Sequence, residues 1–169
     1  MTNDETIRGW LTGRLPDDWF DGAPEVTVDR EEILVVGAVL APAVAEGASA
    51  AERAAAVAGR VREFRERTRD QRMRIAQELQ QLAGRTVSWG VTVDGQRELF
   101  TTASVPVMTR LRQPERQVLD TLVDAGVARS RSDALAWCVR LVGRNADAWL
   151  ADLRTAMEEV ARVRAAGPS

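Results

Sequence analysis

The sequence contains no lysine, no histidine and no tyrosine, and it has a single cysteine. Without histidine, the usual general base near neutral pH and the commonest metal ligand are both missing. One cysteine, Cys138, cannot close an internal disulfide, which suits a reducing compartment and predicts a cytoplasmic protein. Long apolar runs are also missing, so no membrane span and no membrane partner is expected. The opening stretch, MTNDETIRGWLTGRLPDDWF, is acidic and lacks an apolar core, so no secretory signal is expected. There is no glycine-rich phosphate loop of either common type and no nucleophile set beside a base. Scattered acids such as Asp17, Asp18, Asp29, Glu31 and Glu32 do not make a hard-cation site, which needs several oxygens converging on one point. The expectation is a non-enzyme with no cofactor and no metal.

What is present describes a folded chain: 169 residues, 45% hydrophobic and 28% charged, with a formal net charge of −2. That small number hides an uneven distribution. Residues 1–49 hold 10 acids and 3 bases, residues 50–85 hold 5 acids and 9 arginines, and residues 86–169 hold 10 acids and 11 arginines. An acidic start therefore precedes a basic middle. The exclusive use of arginine is equally what a GC-rich genome writes.

The periodicities predict an α+β chain. Trp10, Leu11, Leu15, Trp19 and Phe20 suggest a short helix or two turns around Pro16. Val26 and Val28 alternate with polar residues, then Ile33–Val39 runs apolar. This predicts an N-terminal β-hairpin turning near Asp29-Arg30-Glu31. Ala41–Ala51 reads as a linker, and Ser49 with Glu52 as a capping box. One long arginine-rich helix is expected from about Ala50 to Ala83. Its stripe is Val57, Val61, Phe64, Ile75, Leu79 and Leu82, with Thr68 and Gln71 in the middle. At 100° per residue, Arg62, Arg65, Arg69 and Arg72 fall on one shoulder. They form a possible secondary basic surface that grips phosphates, or they pair with acids of residues 1–49 or of a partner; the charge distribution favours the acids. A second hairpin follows, with Val87, Trp89, Val91 and Val93 alternating up to Asp94-Gly95, a dipeptide suited to a type I′ turn.

The stretch VARSRSDALAWCVRLV, residues 127–142, places Ser130 three residues before Asp133, a helix-start signature, in front of a helix apolar on nearly every side. Ahead of it, VPVMTRL reads as a short strand. Pro114-Glu115 opens a helix with Val118, Leu119, Leu122 and Val123 on one face, ending at Gly126. Strand, helix, glycine, Ser-Arg-Ser and buried helix together resemble the ribbon-helix-helix family, of the Arc and MetJ kind, over residues 104–143. The resemblance implies an obligate homodimer. One strand from each chain would form an antiparallel ribbon, over a shared core of Val107, Leu119, Leu122, Leu135, Trp137, Cys138 and Leu141. It further implies double-stranded DNA as partner, with the ribbon in the major groove and a phosphate at the N-terminus of the second helix. Carried over by position, Val107, Thr109 and Leu111 face inward, while Arg110 and Met108 face the bases with Pro106. Arg112, Arg129, Ser130, Arg131 and Ser132 would contact phosphate.

Pro106 and Met108 are poor base readers, so Arg110 alone can make a strong base contact. After Gly143 a C-terminal amphipathic helix is expected through Trp149, Leu153, Met157 and Val160. It would pack on the dimer core or on the long helix. The expected organisation is thus 1–49, an acidic part with a hairpin; 50–101, long helix plus hairpin; 104–143, ribbon-helix-helix; and 144–169, the last helix. The expected function is a homodimeric DNA-binding protein, a transcriptional regulator. The alternative is a protein-interaction or structural module. There the ribbon-helix-helix only dimerises, and residues 1–100 bind a partner protein.

Overall fold

The computed structural model describes residues 3–166, and the chain divides into two compact units, 1–106 and 107–169. The architecture is α+β. The first unit runs α1 (Asp4–Arg14), β1 (Glu25–Val28), β2 (Glu32–Ala38), α2 (Ala50–Arg67), α3 (Arg69–Ala83), β3 (Thr86–Val93) and β4 (Gln96–Leu99). The second holds α4 (Gln113–Asp124), α5 (Arg131–Asn145) and α6 (Asp147–Ala166). No helix among the described residues is long and apolar enough to cross a membrane.

Both expected hairpins are present. Asp29 closes the first by accepting the N–H groups of Glu31 and Glu32 at 2.8 and 2.7 Å. Asp94 and Gly95 turn the second with positive φ of 50° and 73°, the geometry a type I′ turn requires. The hairpins are not separate, however. β2 and β3 pair in parallel, Ile33 opposite Val87 and Val35 opposite Trp89, so the four strands form one sheet in the order β1-β2-β3-β4. A parallel pair needs a long crossover, and α2 and α3 supply it.

The core lies between this sheet and its helices. Val26, Ile33, Val35, Val87, Trp89, Val91 and Val93 meet Ile7 and Leu11 of α1, Val57, Val61 and Phe64 of α2, and Ile75 and Leu79 of α3. Trp19 joins them edge-on to both Phe64 and Trp89. Phe20 packs so closely over Gly37 that a Cβ there would stand 2.0 Å from its ring.

The single long helix is corrected to two. The Ser49–Glu52 capping box starts α2 as expected, with both reciprocal bonds present. At Thr68 the backbone departs to φ −94° and ψ −2°, and the Thr68 hydroxyl donates to Phe64 O at 2.7 Å. A threonine that bonds back to the preceding turn competes with the helical ladder. The buried stripe then passes through Arg72 rather than Gln71 and ends at Leu79, and Leu82 is exposed.

The second unit is thinner. Leu119, Ala128 and Ala134 are buried, with Leu111, Leu122, Val123, Leu135 and Cys138 packed around them. Gly126, at φ 72°, ends α4 and donates to Val123 O at 3.0 Å, a left-handed helix end that glycine adopts without strain. The expected strand over Val105–Leu111 is absent: residues 101–112 hold no strand in the single chain. A ribbon strand has no ladder partner within its own chain, so nothing there satisfies its N–H and C=O groups. None of the described residues of α6 is buried in the single chain.

Candidate nucleic-acid interface

The residues singled out for DNA lie around the start of α5 and along the segment before α4. Ser130 is the N-cap of α5, with its hydroxyl accepting the Asp133 N–H at 3.2 Å. Asp133 returns its carboxylate to the Arg129 N–H at 3.1 Å, one residue earlier than a standard capping box would place it. Ser130 O takes the Ala134 N–H at 2.8 Å. The N–H groups of Arg131 and Ser132 open the helix, where unpaired donors and the helix dipole favour an anion.

The arginines there are not equally available. Arg131 is held by Asp120 of α4 in a bidentate pair at 2.6 and 2.8 Å. The pair raises the Arg131 pKa and lowers that of Asp120, in both cases chiefly through the shared hydrogen bonds. Arg129 stands 3.7 Å from Asp133, and Arg140 stands 3.9 Å from it. The Arg129 backbone N–H and guanidinium and the Arg140 charge hold the Asp133 carboxyl below its ordinary value. Arg112 is the N-cap residue of α4 with an exposed side chain, and Arg110 is exposed.

Val107 and Met108 are 86% and 96% exposed, so the expected inward and outward positions of the ribbon do not differ in the single chain. Beside them lies an open groove of about 320 Å³, with Leu111, Leu119 and Leu135 among its lining and Arg116, Arg131 and Ser132 at its polar side. Of the expected dimer core, Leu119 is buried, and Leu122, Leu135 and Cys138 gather around it. Trp137 is half-buried, and Leu141 and Val107 are exposed.

The secondary basic surface is smaller than expected. Arg62, Arg65 and Arg69 line a groove of about 410 Å³ with Glu66 and Glu98. Arg72 is not on that surface: it is 6% exposed, with its guanidinium 4.9 Å from the centre of the Phe100 ring. It donates to Thr68 Oγ1 at 2.8 Å and to Arg65 O at 2.7 Å. Burial, with the nearby charges of Arg65 and Arg69, pulls its pKa down to about 10. The pattern missed it because an arginine stem packs like an apolar chain while its head finds local acceptors. The expected pairing of Arg65, Arg69 and Arg72 with acids of residues 1–49 is corrected as well. The contact of that kind is Asp18 with Arg67, at 3.8 Å. The close pair between the N-terminal part and these helices runs the other way, Arg14 to Glu78 at 2.7 and 2.9 Å.

The elements define an α+β protein whose four-stranded mixed sheet carries a helical crossover and is followed by a helical unit. Its family follows from direct similarity. Residues 5–99 match the family described as Rv1265-like protein, N-terminal domain, and residues 112–164 match the Mb1296 C-terminal domain. The chain belongs to the Rv1265-like family. Uncharacterized protein Mb1296 of Mycobacterium bovis and uncharacterized protein Rv1265 of Mycobacterium tuberculosis are each 62% identical to it over 159 residues. That alignment spans 94% of this chain and 69% of each relative. No solved structure matches the chain.

Proposed function

We propose that the chain is a homodimeric DNA-binding protein, a transcriptional regulator that uses residues 104–143 as a ribbon-helix-helix. One observation carries this reading: a mostly exposed segment with neither helix nor strand stands before an α4–α5 pair whose small core is open on one side. A partner's strand laid beside residues 105–111 would supply the missing ladder and cover Val107, and the second copy would cover Leu141. Arg110 would then face the groove, with the free N–H groups at the start of α5 on phosphate and Arg112 beside them. Arg62, Arg65 and Arg69 offer a second cationic surface.

Each arginine–phosphate contact releases counterions, so affinity falls with salt at a slope of about 0.9 per phosphate neutralised. Binding to mixed genomic fragments over a salt series tests the reading. A steep linear fall supports it, and no binding at low salt removes it. A second reading is favoured by the Asp120–Arg131 pair, which occupies an arginine expected on phosphate, and by Pro106 and Met108 on the groove side. In it the segment only dimerises, and residues 1–100 bind another protein. Capture from extract with and without nuclease separates the two: a partner that survives nuclease and binds residues 1–100 favours the second.

A further inference from the structure

The longest helix among the described residues is α6, and it buries nothing. Trp149, Leu153, Val160 and Val163 are 60%, 43%, 44% and 65% exposed. With Ala156 they recur in alternating steps of four and three residues. That is the repeat of a two-helix seam, in which every knob meets the facing helix.

The flanks of the seam indicate the partner. Asp152 and Glu159 lie on one side of it, and Met157 and Arg164 on the other. Five residues separate Glu159 from Arg164, the offset at which opposite flanks of two parallel helices meet across a seam. Two parallel copies would therefore set Glu159 of each against the partner's Arg164. In the single chain Glu159 pairs with Arg162, one turn along, so the carboxylate would be shared. Antiparallel copies would instead bring Asp152 towards the partner's Glu159, like against like.

We infer that α6 is a parallel zipper whose occupant is α6 of a second copy of this chain. The inference rests on α6 alone, and it holds whether or not the ribbon reads DNA. The seam positions are exposed in the single chain, so substitutions there leave each unit's own core intact.

The test uses the full chain carrying Cys138→Ser, so that one introduced cysteine reports at a time. Ala156→Cys, on the seam, is oxidised mildly beside Ala161→Cys, on the opposite face of the same helix. In a parallel pair residue 156 meets its own copy, so its disulfide dimer should form at least about tenfold faster than that of residue 161, through the higher local concentration. Adding Leu153→Asp and Val160→Asp should abolish that advantage. Equal rates at 156 and 161 would overturn the inference. So would faster crosslinking between Leu153→Cys and Ala156→Cys chains than between two Ala156→Cys chains, which is the antiparallel outcome. Preferential crosslinking at 156 in a protein that binds no DNA would support the zipper while removing the DNA reading.

Discussion

The two units solve the same problem differently. Among the described residues, the first encloses a cluster of sixteen buried apolar residues between a sheet and three helices, and its five clustered aromatics lock one another in place. The second encloses three, two of them alanines, and leaves Val107, Val139, Leu141, Trp149 and Val163 at its surface. Burial of apolar surface is the main favourable contribution to folding. The first unit completes that burial within one chain. The second leaves many of its apolar residues uncovered in the single chain, and in the dimer proposed above a second copy supplies the missing area.

The largest effect should come from the completed core. Phe64 is 1% exposed and touches Trp19, Phe20 and Phe100. Phe64→Ala should cost about 3–5 kcal/mol in denaturant unfolding and leave the association of the second unit unchanged. Leu141→Asp probes the incomplete core. At 37% exposure in the single chain, an aspartate there should leave the unit folded if no partner covers it. Buried in a shared core, it should dissociate or unfold the protein, because the carboxylate loses water without gaining a partner. Circular dichroism melts at two protein concentrations distinguish the outcomes.

Ser130→Ala removes the cap of α5 and should lower the stability of the second unit by about 1 kcal/mol. At Arg110 the expectation concerns DNA and not folding. Arg110→Ala should narrow the gap between a selected site and non-specific DNA by about 1–3 kcal/mol. Arg112→Ala should weaken both alike and flatten the salt slope by about 1. A selected site bound equally tightly without Arg110 would make the segment a dimerisation device.

The smallest effect is in acid. The Glu31 and Glu32 N–H groups hold the Asp29 pKa below its ordinary value. A carboxyl lowered in the folded state adds stability above its unfolded pKa, and that stability is lost as pH falls through the folded value. Asp29→Ala should therefore make stability less dependent on pH below about 4. An unchanged acid limb would show that the turn does not need this carboxylate.

Legibility from sequence followed distance along the chain. The Asp94-Gly95 turn, the Ser49–Glu52 box and the Ser130 cap each depend on residues within a few positions, and each was readable. The parallel pairing of β2 with β3 was not, because it joins strands separated by the whole α2–α3 crossover and leaves no local mark. Arg72 was hidden for another reason. After Thr68 the next buried position is Arg72 and not Gln71, and a charged name conceals an apolar stem. In the second unit the helices, their turn and their cap were legible, but the strand was not formed. A strand's existence depends on a ladder partner, and residues 101–112 form no strand in the single chain.

Dimerisation is measured most directly by sedimentation equilibrium of the full chain at micromolar concentration in moderate salt, with Leu141→Asp run alongside. If a second copy completes the second unit, the wild-type protein sediments at twice the chain mass and the variant loses that species. A wild-type protein that stays folded at the mass of one chain, with Leu141→Asp equally folded, would contradict the claim that a second copy completes the second unit.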